Sequence, residues 1–318
     1  MDACAFDLFL SQIGHLSNPQ RARVLSLLKE TVDKRRTADI IQAAVADKLC
    51  CPRCQGQRLY RHGEASGLQR FRCRDCGRTF NSLTGTPLAR LRHKGKWLDY
   101  LDCMLDSRTV RKAAARLEIA TNTSMRWRHR FLVVTKDDRP VCLSGITEAE
   151  ETFLLESQKG ARAMTRPARK RGGKASKRGL STEQVCILVA RDRSGQTCDF
   201  VTGCGPVTKA QLLQHLPPKL ASDTLLVTDA NGAYRAFSKA CGITHACVNL
   251  RAGVRVAGAI HVQNVNGYHS RFHTWLRPFN GVATRYLPNY LGWRWAIDQE
   301  RIRSPETFLR AAVGVFHS

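Results

Sequence analysis

The chain has no apolar run long enough to cross a bilayer, and its first residues, Met1-Asp2-Ala3-Cys4, lack the basic start of a secretory signal. Both absences argue against a membrane or secreted role and predict a cytosolic, nucleoid-associated protein. Acidic residues are scarce. Against 26 Asp and Glu stand 51 Lys and Arg, a formal charge of +25. That excess favours a polyanionic partner, and specifies no activity. No internal repeat is present, and the Gly-Lys-Ser/Thr ending of a phosphate-binding loop is missing. With 318 residues, 43% of them hydrophobic, the chain is no disordered tail; it can bury a full core and more than one domain. Its 13 cysteines are odd in number and mostly scattered, which suits a reducing compartment better than a disulfide scaffold.

Four of those cysteines are spaced as ligands. Cys51-x2-Cys54 and Cys73-x2-Cys76 are two knuckles separated by 18 residues, with short aromatic and basic strands between them. This pattern predicts a zinc ribbon over 50–90, in which Cys51, Cys54, Cys73 and Cys76 hold a structural Zn²⁺. An iron site of the same tetrahedral geometry is the rival. Cys50 blurs the register by one, but Cys51 gives the usual gap to Cys54, so Cys50 is read as a bystander and His62 as a surface residue. Upstream, 1–49 reads as helical: Ser17-Asn18-Pro19 is a helix start, with Ser17 or Asn18 capping, and Val24, Leu25, Leu27 and Leu28 give an apolar side.

Downstream, 91–135 predicts a helix-turn-helix. Trp97, Leu98, Leu101 and Leu105 mark one helix, Val110, Ala113–Ala115 and Leu117 a second, and Glu118-Ile119-Ala120 a turn. Thr121 or Thr123 would cap a third helix, from which Thr121, Asn122, Ser124, Arg126 and Arg128 would reach bases or phosphates. Between 161 and 180 lie eight Lys or Arg and no acid, a mobile basic loop suited to a phosphate backbone; a solvated linker is the plainer alternative.

The remaining stretch, 140–300, reads as an α/β domain. A strand near Glu150, apolar runs at Val185–Val189 and Thr197–Val201, a helix near 208–216, a strand ending on Asp229, a helix over 233–240, a strand near Thr244–Asn249 and a helix from about Val265 follow in order. That order predicts an RNase-H-like domain, a mixed sheet with flanking helices. Residues 301–318 form a C-terminal tail with an apolar run through Val315 and Phe316, its role unassigned. Nucleases of the predicted fold use two divalent ions about 4 Å apart, held by hard oxygen ligands. Asp229, at the end of Leu225-Leu226-Val227-Thr228, is the clearest ligand, with helix capping as the alternative. Glu150 is the candidate partner. Its neighbour Glu151 points to the opposite face, and Glu148, on Glu150's face, is a fallback. Asn266, 37 residues past Asp229, offers a carboxamide oxygen. Tyr268 and His269 raise the question of a covalent nucleophile, but His261 and His269 lie eight apart and form no compact His-x-His pair, so metal-activated water is the better reading.

These blocks together resemble the zinc-ribbon DDE transposases of bacterial insertion sequences that carry an ISXO-type transposase domain. The resemblance runs from about 49 to about 298. It includes the ribbon, Gly77-Arg78-Thr79-Phe80-Asn81 with Thr84-Gly85-Thr86-Pro87-Leu88, Arg126–Phe131, Glu151-Thr152-Phe153, Lys159-Gly160, Arg169–Gly173, Asp229, His261–Ser270 and Phe279–Leu287. It implies an enzyme that binds the inverted-repeat ends of its own element on double-stranded DNA, frees a 3′-hydroxyl and joins it to target DNA with Mg²⁺ or Mn²⁺, as a homodimer or larger synaptic assembly. Glu150, Asp229 and Asn266 fall at the acidic-triad positions, and His273, with Arg271 nearby, falls at the following basic position. The family has aspartate where this chain has Glu150, which sets the carboxylate about 1.5 Å further out. That departure opens a second reading, a weak or inactive copy that acts only by binding DNA. A ribosome-associated basic zinc protein is a third, with RNA preference and no dependence on Asp229.

Overall fold

The computed structural model describes residues 2–137, 139, 142–170, 173–248, 256 and 258–314. Arg171 and Gly172 of the basic loop, Asn249 of the predicted strand, and Val315 and Phe316 of the tail lie outside them. The chain divides into two compact units, 1–131 with 302–318, and 132–301.

The first unit begins with α1 (Ala3–Ile13) and α2 (Asn18–Val45). Ser17, not Asn18, caps α2 in a reciprocal capping box with Gln20, and Pro19 occupies the first turn. Helix α2 is one continuous run of 28 residues. Its first half leaves Leu25, Leu27 and Leu28 exposed, and only Thr37, Ala38, Ile40 and Ile41 are buried. Three antiparallel strands follow, β1 (Leu59–Ala65), β2 (Leu68–Cys73) and β3 (Thr79–Asn81), in that spatial order. The β1–β2 hairpin turns on Ser66 and Gly67, both left-handed (φ 55° and 76°), the pairing of signs that matches strand twist in a two-residue turn. Next come α3 (Trp97–Leu105), α4 (Val110–Leu117) and α5 (Thr121–Leu132) around Trp97, Tyr100, Trp127 and Phe131, whose rings meet mostly edge to face. Ala113 and Ala114 are buried, and Glu118 closes α4 in the left-handed conformation. The tail gains a place here: α10 (Pro305–Val313), capped by Ser304, buries Phe308, Leu309, Ala311 and Ala312 and packs on α2 and α3.

The second unit is a five-stranded mixed sheet flanked by helices. Its strands are β4 (Ile146–Leu155), β5 (Gln184–Asp192), β6 (Thr197–Cys204), β7 (Leu225–Asp229) and β8 (Thr244–Val248), in the spatial order β6-β5-β4-β7-β8. The first three run antiparallel, and β4, β7 and β8 run parallel. The helices are α6 (Lys209–His215), α7 (Gly232–Cys241), α8 (Gln263–Leu276) and α9 (Leu287–Asp298), so the predicted succession of strands and helices is recovered. One sheet face carries a core cluster: Ala149, Cys186, Leu188, Ala190 and Leu226 pack with Leu212 and Leu216, and with Tyr234 and Phe237 of α7. Among the described residues no helix is long and apolar enough to cross a membrane.

Candidate functional site

The pleat sorts the acids of β4. Ala149 faces the α6–α7 core, and so does Glu151, beside the buried Tyr234 hydroxyl of α7. Glu148, Glu150 and Thr152 face the other way, toward α8: Glu148 bonds the α8 backbone and Thr152 bonds His273. On β7, Leu226 joins the core, so Val227 and Asp229 share the face of Glu150. The parallel register pairs Ala149 with Thr228, and one step further along it Glu150 meets Asp229. Burial drives the Glu150 carboxyl up to about 7, reinforced by the Asp229 charge, while a hydrogen bond from the Asn266 side chain pulls the other way. Strand β4, strand β7 and helix α8 therefore bring Glu150, Asp229 and Asn266 together.

Glu148 is not a spare ligand, contrary to the sequence reading. It is fully buried and already engaged: Oε2 accepts the Val265 N–H at 2.9 Å, while Oε1 pairs with Arg193 Nη1 at 2.5 Å and His261 Nδ1 at 3.3 Å. Helix α8 has no side-chain cap of its own at Val262. A carboxylate from the sheet fills that role and favours the helix N-terminus electrostatically. The next residue along α8 is Asn266, so this anchor sets the position of the carboxamide. Nothing local in the sequence marks Arg193 or His261 as its partners. Asp229 does not cap α7; Asn231 does, bonding Ala233 N, while Asp229 Oδ1 accepts the Asn231 N–H at 3.0 Å.

Along α8, residues 266, 269 and 273 repeat on one side. His273 Nε2 lies 2.6 Å from Thr152 Oγ1, and burial lowers its pKa, so it is neutral near pH 7. His269 is buried and driven down to about 4, first by burial and then by the His273 charge. Arg271 pairs instead with Asp298, which also receives Arg191 and Arg294. Tyr268 is fully buried with its hydroxyl donated to Asp199 at 2.7 Å, which removes it as a nucleophile.

Four sulfurs form the other centre. Cys51 and Cys76 Sγ lie 3.5 Å apart, Cys54 and Cys73 3.6 Å, and all four lie within 4.8 Å of one another. Thiolates about 2.3 Å from a tetrahedral zinc sit roughly 3.8 Å from each other, so the cluster can hold a structural Zn²⁺ with side-chain shifts of no more than about 1 Å. Backbone N–H groups of Arg53 and Cys54 hold the Cys51 thiol down to about 7, toward the thiolate a metal requires. Cys50 lies outside the set and donates to Gln55 Oε1, and His62 sits edge-on to Tyr60.

The three helices α3–α5 correct two predicted contacts. Arg128 is fully buried, bonding the Arg108 carbonyl, and Ser124 is buried with its hydroxyl on the Val110 carbonyl. Neither reaches outward. Thr121, Asn122, Met125 and Arg126 form the exposed face of α5. In the basic loop, Arg166 pairs with Glu156 and Arg169 with Glu183, while Arg162, Lys170, Lys174, Lys177 and Arg178 are exposed.

Comparison with known proteins agrees with this layout. Residues 142–295 match the ISXO2-like transposase domain, and residues 43–77 match the InsA N-terminal domain. A protein of the transposable element ISH50 from Halobacterium salinarum, itself uncharacterised, is 29% identical over 271 residues, spanning 83% of this chain and 90% of its own length. The insertion element iso-IS1N protein InsA of Shigella dysenteriae is 43% identical over 77 residues, 24% of this chain and 82% of that protein. A solved chain from the simian T-cell lymphotropic virus intasome in complex with the PP2A regulatory subunit B56 gamma covers 62% of this chain and 67% of its own. Its identity to this chain is 12% and the TM-score 0.29. The two matched domains and the relatives lead to one family: the chain belongs to the DDE-type insertion-sequence transposases with an InsA-like zinc ribbon.

Proposed function

We propose that this protein binds the terminal inverted repeats of its own element and catalyses metal-dependent cleavage and transfer of DNA strands. The observation that carries the reading is the meeting of Glu150, Asp229 and Asn266 on one sheet face. Glu150 Oε2 is buried without a hydrogen-bond partner, and its neighbour in register is a second carboxylate. The nearby Arg193 is already paired with Glu148. Two close carboxylates and a carboxamide oxygen are a hard, oxygen-only donor set, which fits Mg²⁺ or Mn²⁺. When bound, such ions supply Lewis-acid activation of the phosphate and of the attacking oxygen.

The chain's own contribution is placement. Asp229, fixed by the Asn231 N–H, and Glu150, on the central strand, present the carboxylates, and Glu148 seats α8 so that Asn266 faces them. His273, held by Thr152, borders the same face as a neutral hydrogen-bonding group. An RNase-H-like assignment of the sheet is supported by its strand order, antiparallel on one side of β4 and parallel on the other. The exposed face of α5 is assigned to DNA, with α4 and α5 as the helix-turn-helix; the free cations of the 161–180 loop are assigned to the backbone. Double-stranded DNA with two ends to be joined implies a synaptic dimer or larger oligomer.

A second reading is favoured by one observation, Glu150 in place of the family's aspartate: DNA binding without catalysis. The experiment that separates them is cleavage and strand joining on duplexes carrying the element's ends with Mg²⁺ or Mn²⁺, for wild type, Asp229→Ala and Glu150→Asp. Loss in the first variant and gain in the second support the enzyme. Inactivity of wild type and Glu150→Asp, with the ends still bound, establishes the binding-only protein.

A further inference from the structure

The first unit contains an open cleft of about 1030 Å³, lined by neither the four cysteines nor the acidic face. Its walls are the tip of the β1–β2 hairpin, the loop from 81 to 95, the middle of α2 and one residue of α5. Five Lys or Arg line it, Lys34, Arg90, Arg92, Lys94 and Arg130, against one acid, Glu30.

The cleft is built, not incidental. Two of its lining residues, Arg90 and His93, hold left-handed backbone (φ 63° and 58°) that side chains with a Cβ rarely adopt. Such strain persists only where surrounding structure enforces it, and it gathers at functional sites. The enforcement is visible. Gly95 lies so close to α2 that a Cβ there would meet the Glu30 carbonyl oxygen at 2.4 Å, and buried Thr37 donates to the Lys94 carbonyl at 3.2 Å. The loop is clamped to the helix, and its cations are among the residues that line the cleft. Lys94 is half-buried beneath Trp97 and bonds the Ser66 carbonyl at the hairpin tip; burial and then the Lys34 charge lower its pKa. Like charges forced together with one acid among them call for an anion. The positive groups come from separate segments along an open trough, which suits a chain of phosphates better than a single compact anion.

We infer that this cleft is a seat for the sugar-phosphate backbone of DNA, a grip separate from the exposed face of α5. The inference rests on DNA as the partner proposed above.

Its test is the salt dependence of binding by the full zinc-loaded chain to a short labelled duplex, read by fluorescence anisotropy. The cleft set is Lys34→Gln, Arg90→Asn and Arg92→Gln combined, with asparagine chosen because it tolerates the left-handed backbone. The control set removes three exposed charges elsewhere: Arg23→Gln, Lys48→Gln and Lys209→Gln. Each lost phosphate contact lowers the log–log salt slope by about 0.9, so the cleft set is expected to flatten it by about 2.7 and the control set far less. A second measurement needs no variant: in wild type, bound DNA should protect Lys34 and Lys94 from acylation. Equal slopes for the two sets, or lysines that react as fast with DNA bound as without, overturn the cleft while leaving DNA binding intact. A wild-type chain that shows no salt-dependent binding overturns both.

Discussion

The two centres of this protein put opposite demands on the chain. The cysteine cluster draws all its ligands from 26 residues, two knuckles and the three short strands between and after them, around a core of little more than Cys51, Cys73 and Phe80 with Leu49, Leu59 and Phe71. The acidic face draws Glu150, Asp229 and Asn266 from two strands and a helix, and it rests on a core built from both sheet and helices. In the first, four local thiols take the place of a sizeable core. In the second, the fold makes the acidic face.

The sharpest way to break that contrast is to disable the ligands of each. Chelation of zinc, or Cys73→Ser, should unfold β1–β3, because binding energies of about 10–16 kcal/mol for structural zinc are folding energy in so small a unit. Hydrogen exchange is the readout: amides of β1–β3 should lose protection while β4–β8 keep theirs. Retention of ribbon protection without zinc would mean that Phe71 and Phe80 suffice. Asp229→Ala, in contrast, should leave the fold intact and lower metal-dependent strand cleavage by at least about 100-fold, the upper cost of losing even an outer partner of a metal ligand. Unchanged cleavage in that variant would remove Asp229 from the site.

The same contrast explains what was legible. Spacing alone identifies the four cysteines, because both knuckles are local, and the strand–helix succession of 146–276 follows from alternating apolar runs and turn residues. Asp229 was readable as a carboxylate ending a buried strand. Glu150 over Glu151 required only the pleat to separate their faces, and the family resemblance to choose between them. What could not be read is the support. Glu148 looks identical to Glu150 in sequence, yet it closes on Val265, Arg193 and His261, all of which reach it only through the fold. Arg128 and Ser124 looked like DNA contacts because helix periodicity gives a face but not which face is covered. Three exposed leucines of α2 show the converse, an apolar stripe that does not mark a buried surface within the unit.

Glu148 therefore supplies a test of the claim that the fold makes the acidic face. Glu148→Ala leaves the partly exposed Arg193 without its carboxylate and α8 without its cap, a loss of about 2–3 kcal/mol for a charge-assisted hydrogen bond and a cap together. Chemical denaturation should show the second unit weakened by that order. Cleavage by the surviving folded fraction should also fall, through displacement of Asn266. A double-mutant cycle with Arg193→Ala isolates the pair; a coupling near zero would reduce Glu148 to a helix cap.

A smaller effect follows from the Glu150 carboxyl. Its folded pKa of about 7 stands above its ordinary 4.5, so the contribution of the neutral form is complete below 4.5 and is lost as pH rises through about 7. Glu150→Gln stays neutral throughout. Without divalent ions it should match wild type near pH 4.5 and exceed it near pH 8 by about 1–2 kcal/mol, after allowance for solvent screening. His269, shifted down, acts in the opposite sense as pH falls from 6.5 to about 4, but it is present in both proteins and cancels from the difference. Added Mg²⁺ should erase the advantage by stabilising the charged wild type alone. A pH-independent gap between the two would show that the carboxyl is not held out of water.

The smallest expected effect is none, and it bears on the ribbon's register. Cys50 and Cys51 are adjacent thiols, either of which could be paired on paper with Cys54. Only Cys51 is fully buried, with its sulfur 3.5 Å from Cys76, and only its side chain falls within the 4.8 Å set. The Cys50 sulfur turns instead to Gln55 Oε1 at 3.2 Å. Cys50→Ser keeps a donor of similar size there, so zinc stoichiometry and β1–β3 exchange should equal wild type, while Cys51→Ser should lose both. Should Cys50→Ser lose zinc, the ligand set would shift by one residue, and the knuckle would have to close around a three-residue gap with Cys51, now buried without a metal, left to pack as an ordinary thiol.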